Sequence, residues 1–254
     1  MTTARLPGKM EEKSQKREGR KSTCKRSKKK GAREILGLIL FVSLALSAAF
    51  SLVRFLGAPE SLAPDAPYQK VKSDYLLMLV QCLLGLGVMS LPSVIARRWK
   101  LGIPHFIYIL YYAFLYCAVF LGEVFEFYYA VPHWDTILHF FSGAMLGALG
   151  FILVDLLNRE EKVRVKLSPL FVALFAFCFA LATGAVWEIY EYACDALMGL
   201  NMQKYATEQG VQLVGRAALR DTMKDIIFDA LAALLVAAAG YFSIRKRAPS
   251  VAEK

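Results

Sequence analysis

Residues 133–157 read HWDTILHFFSGAMLGALGFILVDLL. His133, Asp135 and His139 open the stretch, and residues 140–154 then carry no charge at all. A run of this length and apolarity matches a helix crossing a hydrocarbon core of about 30 Å at 1.5 Å per residue. That reading decides the fold. It also makes the polar opening the anomaly, because an ionisable group at bilayer depth is kept only where it is paired or hydrated.

Five more runs of the same kind lie along the chain. With this one, the predicted spans cover 35–57, 75–96, 106–130, 136–157, 169–194 and 221–244. The 254 residues are 57% hydrophobic and 13% aromatic, with a mean hydropathy of +0.42. A soluble domain with such runs would aggregate. The expected fold is all-α, a polytopic membrane protein with about six transmembrane helices in one bundle. Leu- and Ala-rich runs of this length exclude strands, and with no CxxC pair among Cys24, Cys82, Cys117, Cys178 and Cys194, neither a zinc knuckle nor a disulfide framework is supported.

Charge organises the rest. Residues 1–33 hold 13 Lys/Arg against Glu11, Glu12 and Glu18, which accounts for the whole net charge of +10. Almost without large apolar side chains, this segment is expected to be a disordered basic tail. It lacks the interleaved aromatics of a nucleic-acid binder, so no nucleic acid is expected as a partner. The lipid bilayer is the expected partner, with anionic lipid a candidate at the tail. The tail, Arg97–Arg98–Lys100, the 159–166 loop and Arg245–Lys246–Arg247 all fall on one side of a six-span chain. The positive-inside rule makes that side the cytoplasm of a bacterial plasma membrane. Both termini are then inside, residues 34–247 form the membrane domain, 248–254 form a short cytoplasmic tail, and 58–74, 131–135 and 196–220 face out.

On this map the costly residues gather at the outer ends of four spans. Glu123 and Glu126 end the third, and His133, Asp135 and His139 start the fourth. Glu188, Glu191 and Asp195 end the fifth, and Asp221, Asp225 and Asp229 start the sixth. Asp135/His139, Glu188/Glu191/Asp195 and Asp221/Asp225/Asp229 each repeat at helical spacing and so line one face. Asp229 lies about 12 Å along its helix from Asp221, so the cluster is deep. Single members read blandly: Glu123 alone is a hydrogen-bonded helix contact, and His133 or Trp134 an interfacial anchor. It is the convergence that points to a site.

So many carboxylates need compensation. A bound divalent cation, protonation along an ion pathway, or pairing with Arg216, Arg220 and Lys224 would each supply it. In the metal reading Asp135, His139, Glu188, Glu191 and Asp225 are the ligands. Asp195 and Asp221 are the catalytic acid–base residues, and Glu123, Glu126, His133 and Asp229 are further polar members. The metal's identity is open, and so is whether the chain is an enzyme; hydrolysis or phosphoryl transfer on a lipid-linked substrate is the chemistry a metal there would favour. A small ion, proton or solute transporter is the rival, and a non-catalytic cell-envelope interaction protein the third reading. Within span four, Gly143, Gly147 and Gly150 predict close helix contact.

The segments HWDTILHFFSGAMLGALGF, VWEIYEYACD and LRDTMKDIIFDALAALL resemble the YjdF-type family of bacterial inner-membrane proteins over roughly residues 70–245. The family's recurring pieces match Asp135 and His139, Trp187, Glu188 and Glu191, and Asp221, Thr222 and Asp225. A looser similarity links the helix entry to VanZ-like proteins. The resemblance implies membrane location and these site residues; it implies no reaction.

Overall fold

The computed structural model describes residues 9–61, 69–100, 102–159, 167–207 and 210–247, with side chains from Gly31 onward except those of Arg159 and Arg247. Among the described residues the chain is mostly helical, with no strand. Its nearest approach to a sheet is one isolated bridge between Ala206 and Gln212.

Six helical stretches are long and apolar enough to cross a membrane: Gly31–Gly57, Lys72–Arg98, His105–Val124, Trp134–Asn158, Pro169–Met198 and Arg220–Lys246. They correspond one to one with the predicted runs. The first belongs to helix α1, Lys9–Gly57. Lys, Arg, Glu and Gln are good helix formers, and the apolar portion supplies a nucleus for them to extend. Residues 1–8 and 248–254 lie outside the described residues.

The second span is broken. Helix α2 (Lys72–Val88) ends where Pro92 enters the first turn of α3 (Leu91–Arg98). Tyr111 and Tyr108 donate hydroxyl protons to the carbonyls of Val88 and Pro92 at 2.8 and 3.4 Å, holding the two sides of the break.

The third span departs from the prediction at its C-terminal end. Helix α4 (His105–Leu115) passes into a π-helix, Tyr116–Val124, which ends at Val124 instead of continuing to residue 130. Glu126 then takes a left-handed backbone (φ 60°), and a four-residue helix, α5 (Phe127–Ala130), follows. The Trp134 indole donates to the Cys117 carbonyl at 3.3 Å, satisfying an acceptor of the π-helix.

Helices α6 (Trp134–Arg159), α7 (Pro169–Met198) and α8 (Arg220–Arg247) pack on one another, while α1, α2 and α4 with its π-helix form the other half of the bundle. The first half centres on Leu40, Leu44, Met78, Cys82, Tyr108 and Tyr112. The second is closed by small residues. A Cβ at Gly143 would lie 2.6 Å from the Asp229 carbonyl oxygen, and one at Gly150 would lie 2.7 Å from Ala176 Cα. The glycines of α6 thus bring α8 and α7 to backbone contact, as their spacing predicts. Leu200 and Met202, in the α7–α8 connection, pack with Leu76 and Leu77 of α2 and tie the halves together.

Candidate metal site

Helix α6 begins one residue after His133, whose left-handed backbone (φ 61°) turns the chain and whose carbonyl accepts the Ile137 amide. His133 itself is exposed and stays outside the cluster. From this start Asp135, His139 and Ser142 share the face of α6 that meets α8.

His139 is buried and held on both ring nitrogens. Nδ1 lies 3.1 Å from Asp229 Oδ2, and Nε2 lies 3.7 Å from Asp135 Oδ1 and 4.0 Å from Asp225 Oδ2. Nδ1 is the closer of the two nitrogens to a carboxylate; with a proton there donated to Asp229, a neutral ring would turn its Nε2 lone pair toward Asp135 and Asp225. Asp229 is only 2% exposed, and its other oxygen lies 3.0 Å from Ser142 Oγ. That hydroxyl also lies 2.9 Å from the His139 carbonyl, so its single proton serves one acceptor at a time. Gly184 of α7 makes room, because a Cβ there would lie 2.5 Å from Asp229 Oδ2.

One ligand atom each from Asp135, His139 and Asp225 lies within 4.8 Å of the others. Two further observations make this more than an acidic patch. Asp225 is 2% exposed and its Oδ1 has no hydrogen-bond partner among the described residues. Glu188 is 4% exposed; neither of its carboxylate oxygens reaches full hydrogen-bond geometry, and Thr222 and Gln203, which bond each other at 2.9 Å, are its polar neighbours. Buried acceptors without partners are costly, and a proton, a water or a bound cation would each relieve that cost.

The mouth of the cluster is closed by a lysine. Lys204, in the α7–α8 connection, donates to Asp135 Oδ2 and to Asp221 Oδ2, the latter at 3.1 Å, and its ammonium lies 5.4 Å from the Tyr128 ring centroid. Burial disfavours its charge, but Asp135 and Asp221 outweigh that and hold its pKa above the ordinary lysine value. Tyr128 is pushed well above the usual phenol range, first by burial and then by the surrounding carboxylates, Asp135 foremost.

The remaining predicted members are placed elsewhere. Asp195 accepts the Met202 and Gln203 amides at 2.7 and 3.0 Å, so both of its oxygens anchor the connection rather than face the cluster. Asp221 is the partner of Lys204. Glu191 accepts the Trp187 indole N–H at 2.9 Å. Glu126 pairs with Lys70 at 3.0 Å, and Glu123 sits in the π-helix without an ion pair or hydrogen bond to Asp135, His139 or Asp225. Arg216 and Arg220 are exposed. Lys224 acts on Asp221 electrostatically, and among the described residues the cation bonded to the cluster is Lys204, which sequence reasoning passed over. Its only signal is its place in an otherwise cation-poor stretch between Cys194 and Arg216.

Residues 66–246 match a family described as "Predicted membrane protein (DUF2238)". The chain belongs to this family. It is also 28% identical over 111 residues to an uncharacterized protein of Thermotoga maritima, an overlap of 44% of this chain and 49% of that protein. The chain thus spans about half the length of the curated relative it matches. No solved structure matches. The family match covers all three helices that carry the cluster, while the first span lies outside it.

Proposed function

We propose that the cluster binds a divalent metal through His139 Nε2, Asp135 and Asp225, in an intramembrane site on the outer side of the plasma membrane, beneath Lys204. The observation that carries this reading is the posture of His139. A carboxylate behind Nδ1 fixes the tautomer and turns Nε2 toward two carboxylates, an arrangement that orients metal-bound imidazoles elsewhere. One imidazole with oxygen donors suits Zn²⁺, Mn²⁺ or Mg²⁺. Glu188 stands beside the trio uncommitted, as a fourth ligand or as the base for a metal-bound water. The chemistry this favours is hydrolysis or phosphoryl transfer on a lipid-linked substrate, where the metal activates water or polarises a phosphoryl oxygen. Asp195 has no part in it, because its oxygens are taken by backbone amides.

The test is metal analysis of protein purified in detergent without chelators. About one equivalent of divalent metal is expected in the wild type and strong depletion in His139→Ala, while Glu188→Ala is depleted if Glu188 is a ligand and keeps the metal if it is the base. No stoichiometric metal in the wild type sinks the reading.

The hydrogen-bonded series Asp221–Lys204–Asp135 and His139–Asp229–Ser142 favours a second reading, a proton or ion relay in a small transporter. Below Asp229, however, α8 buries Ala232, Ala233 and Ala237, which offer such a relay no continuation. Proton flux into liposomes holding the wild-type protein, abolished by His139→Ala, would favour the relay over the metal.

A further inference from the structure

The α7–α8 connection places a cation where the metal reading places another. Residues 199–207 are built to do so. Asp195 grips the Met202 and Gln203 amides. Asn201 brackets Ala206, donating to its carbonyl at 2.8 Å and accepting its amide at 3.0 Å. Gln203 is tied to Thr222 of α8. Between these anchors Lys204 takes a left-handed backbone (φ 48°), a conformation a β-carbon disfavours and that persists only where the surroundings impose it. The result is a lysine whose side chain is 23% exposed and whose ammonium rests on Asp135 and Asp221.

Asp135 is the shared element. Its Oδ2 accepts from Lys204 while its Oδ1 faces His139 Nε2 in the ligand trio. We propose that Lys204 is a tethered competitor for the cation site: its ammonium, seated on a carboxylate the metal also needs, sets the affinity for divalent ions and keeps the bound metal exchangeable. This inference rests on the metal reading. Two positive charges on one carboxylate repel across a few ångströms in a poorly screened site. Lys204 also satisfies Asp135 and Asp221 whenever no metal is bound, which keeps the helix ends together. It is a positioning residue that acts through Asp135.

The experiment is Mn²⁺ binding by calorimetry to the full chain in lipid nanodiscs, comparing wild type, Lys204→Met and Lys204→Arg. Removal of the charge is expected to tighten Mn²⁺ binding at least tenfold, and Lys204→Arg to stay within about threefold of wild type. A merely structural lysine would give the opposite sign, since loosening the loop would weaken binding. Equal or weaker binding by Lys204→Met overturns the competitor role and leaves the metal reading standing. No Mn²⁺ or Zn²⁺ binding by any of the three overturns both. If Lys204→Met is too unstable for calorimetry, the readout becomes the rise in Tm on adding Mn²⁺. A larger rise than in wild type supports the competitor; an equal or smaller one overturns it.

Discussion

His139 illustrates how a single contact converts a residue type into a role. Asp229 holds Nδ1 at 3.1 Å, so the functional face of the ring is Nε2. Asp229→Asn keeps the shape and the Ser142 contact, but its amide can present an N–H to Nδ1 and so stabilise the wrong tautomer. Affinity for divalent metal is expected to fall 10–100-fold with little change in helix content, measured by metal titration beside circular dichroism. Ser142→Ala is milder, because Asp229 keeps its bond to His139; a loss of about 1 kcal/mol in thermal or denaturant stability is expected. At this scale the sequence spoke unevenly. Asp135, His139 and Asp225 were visible from helical spacing alone. Asp195 has the same spacing signature and turned out to cap a loop, since periodicity names a face but not the partner. Lys204 was invisible, because its position depends on a non-repetitive loop.

Among elements, the close approach of α6, α7 and α8 does two jobs: it packs these three helices tightly below the cluster and shapes the cradle of Asp229. Gly143 meets backbone on α8, and Gly184 meets the Asp229 carboxylate. Ala at either site gains roughly 0.5–1 kcal/mol of helix propensity but incurs an overpacking cost of about 1–3 kcal/mol, so destabilisation wins. Gly143→Ala is expected to lower Tm more than Gly184→Ala, because backbone cannot move aside. Gly184→Ala is expected to weaken metal binding more than its Tm loss suggests, because it displaces Asp229. Paired melting and metal titration check both. Glycine spacing announced the contact in advance. The π-helix Tyr116–Val124 was not announced, since its extra residue per turn is settled by tertiary partners such as Trp134 rather than by local composition.

For the whole molecule, the six spans were readable because hydrocarbon thickness imposes a length on every one of them, independent of packing. Orientation rests on the Lys/Arg distribution. In a chain freed of its native cysteines, a cysteine at Gln212 is expected to react with an impermeant reagent added to intact cells, and one at Ser168 only after permeabilisation; the reverse pattern refutes the topology. The dry floor beneath Asp229 has an electrical consequence. If the metal reading and the Lys/Arg orientation hold, the buried Ala232, Ala233 and Ala237 below Asp229 would carry most of the transmembrane field. A cation settling on His139 then crosses only a small fraction of a potential worth about 2.3 kcal/mol per charge per 100 mV. Its occupancy is expected to be nearly indifferent to membrane energisation, whereas any ion carried through the bundle would feel the full drop.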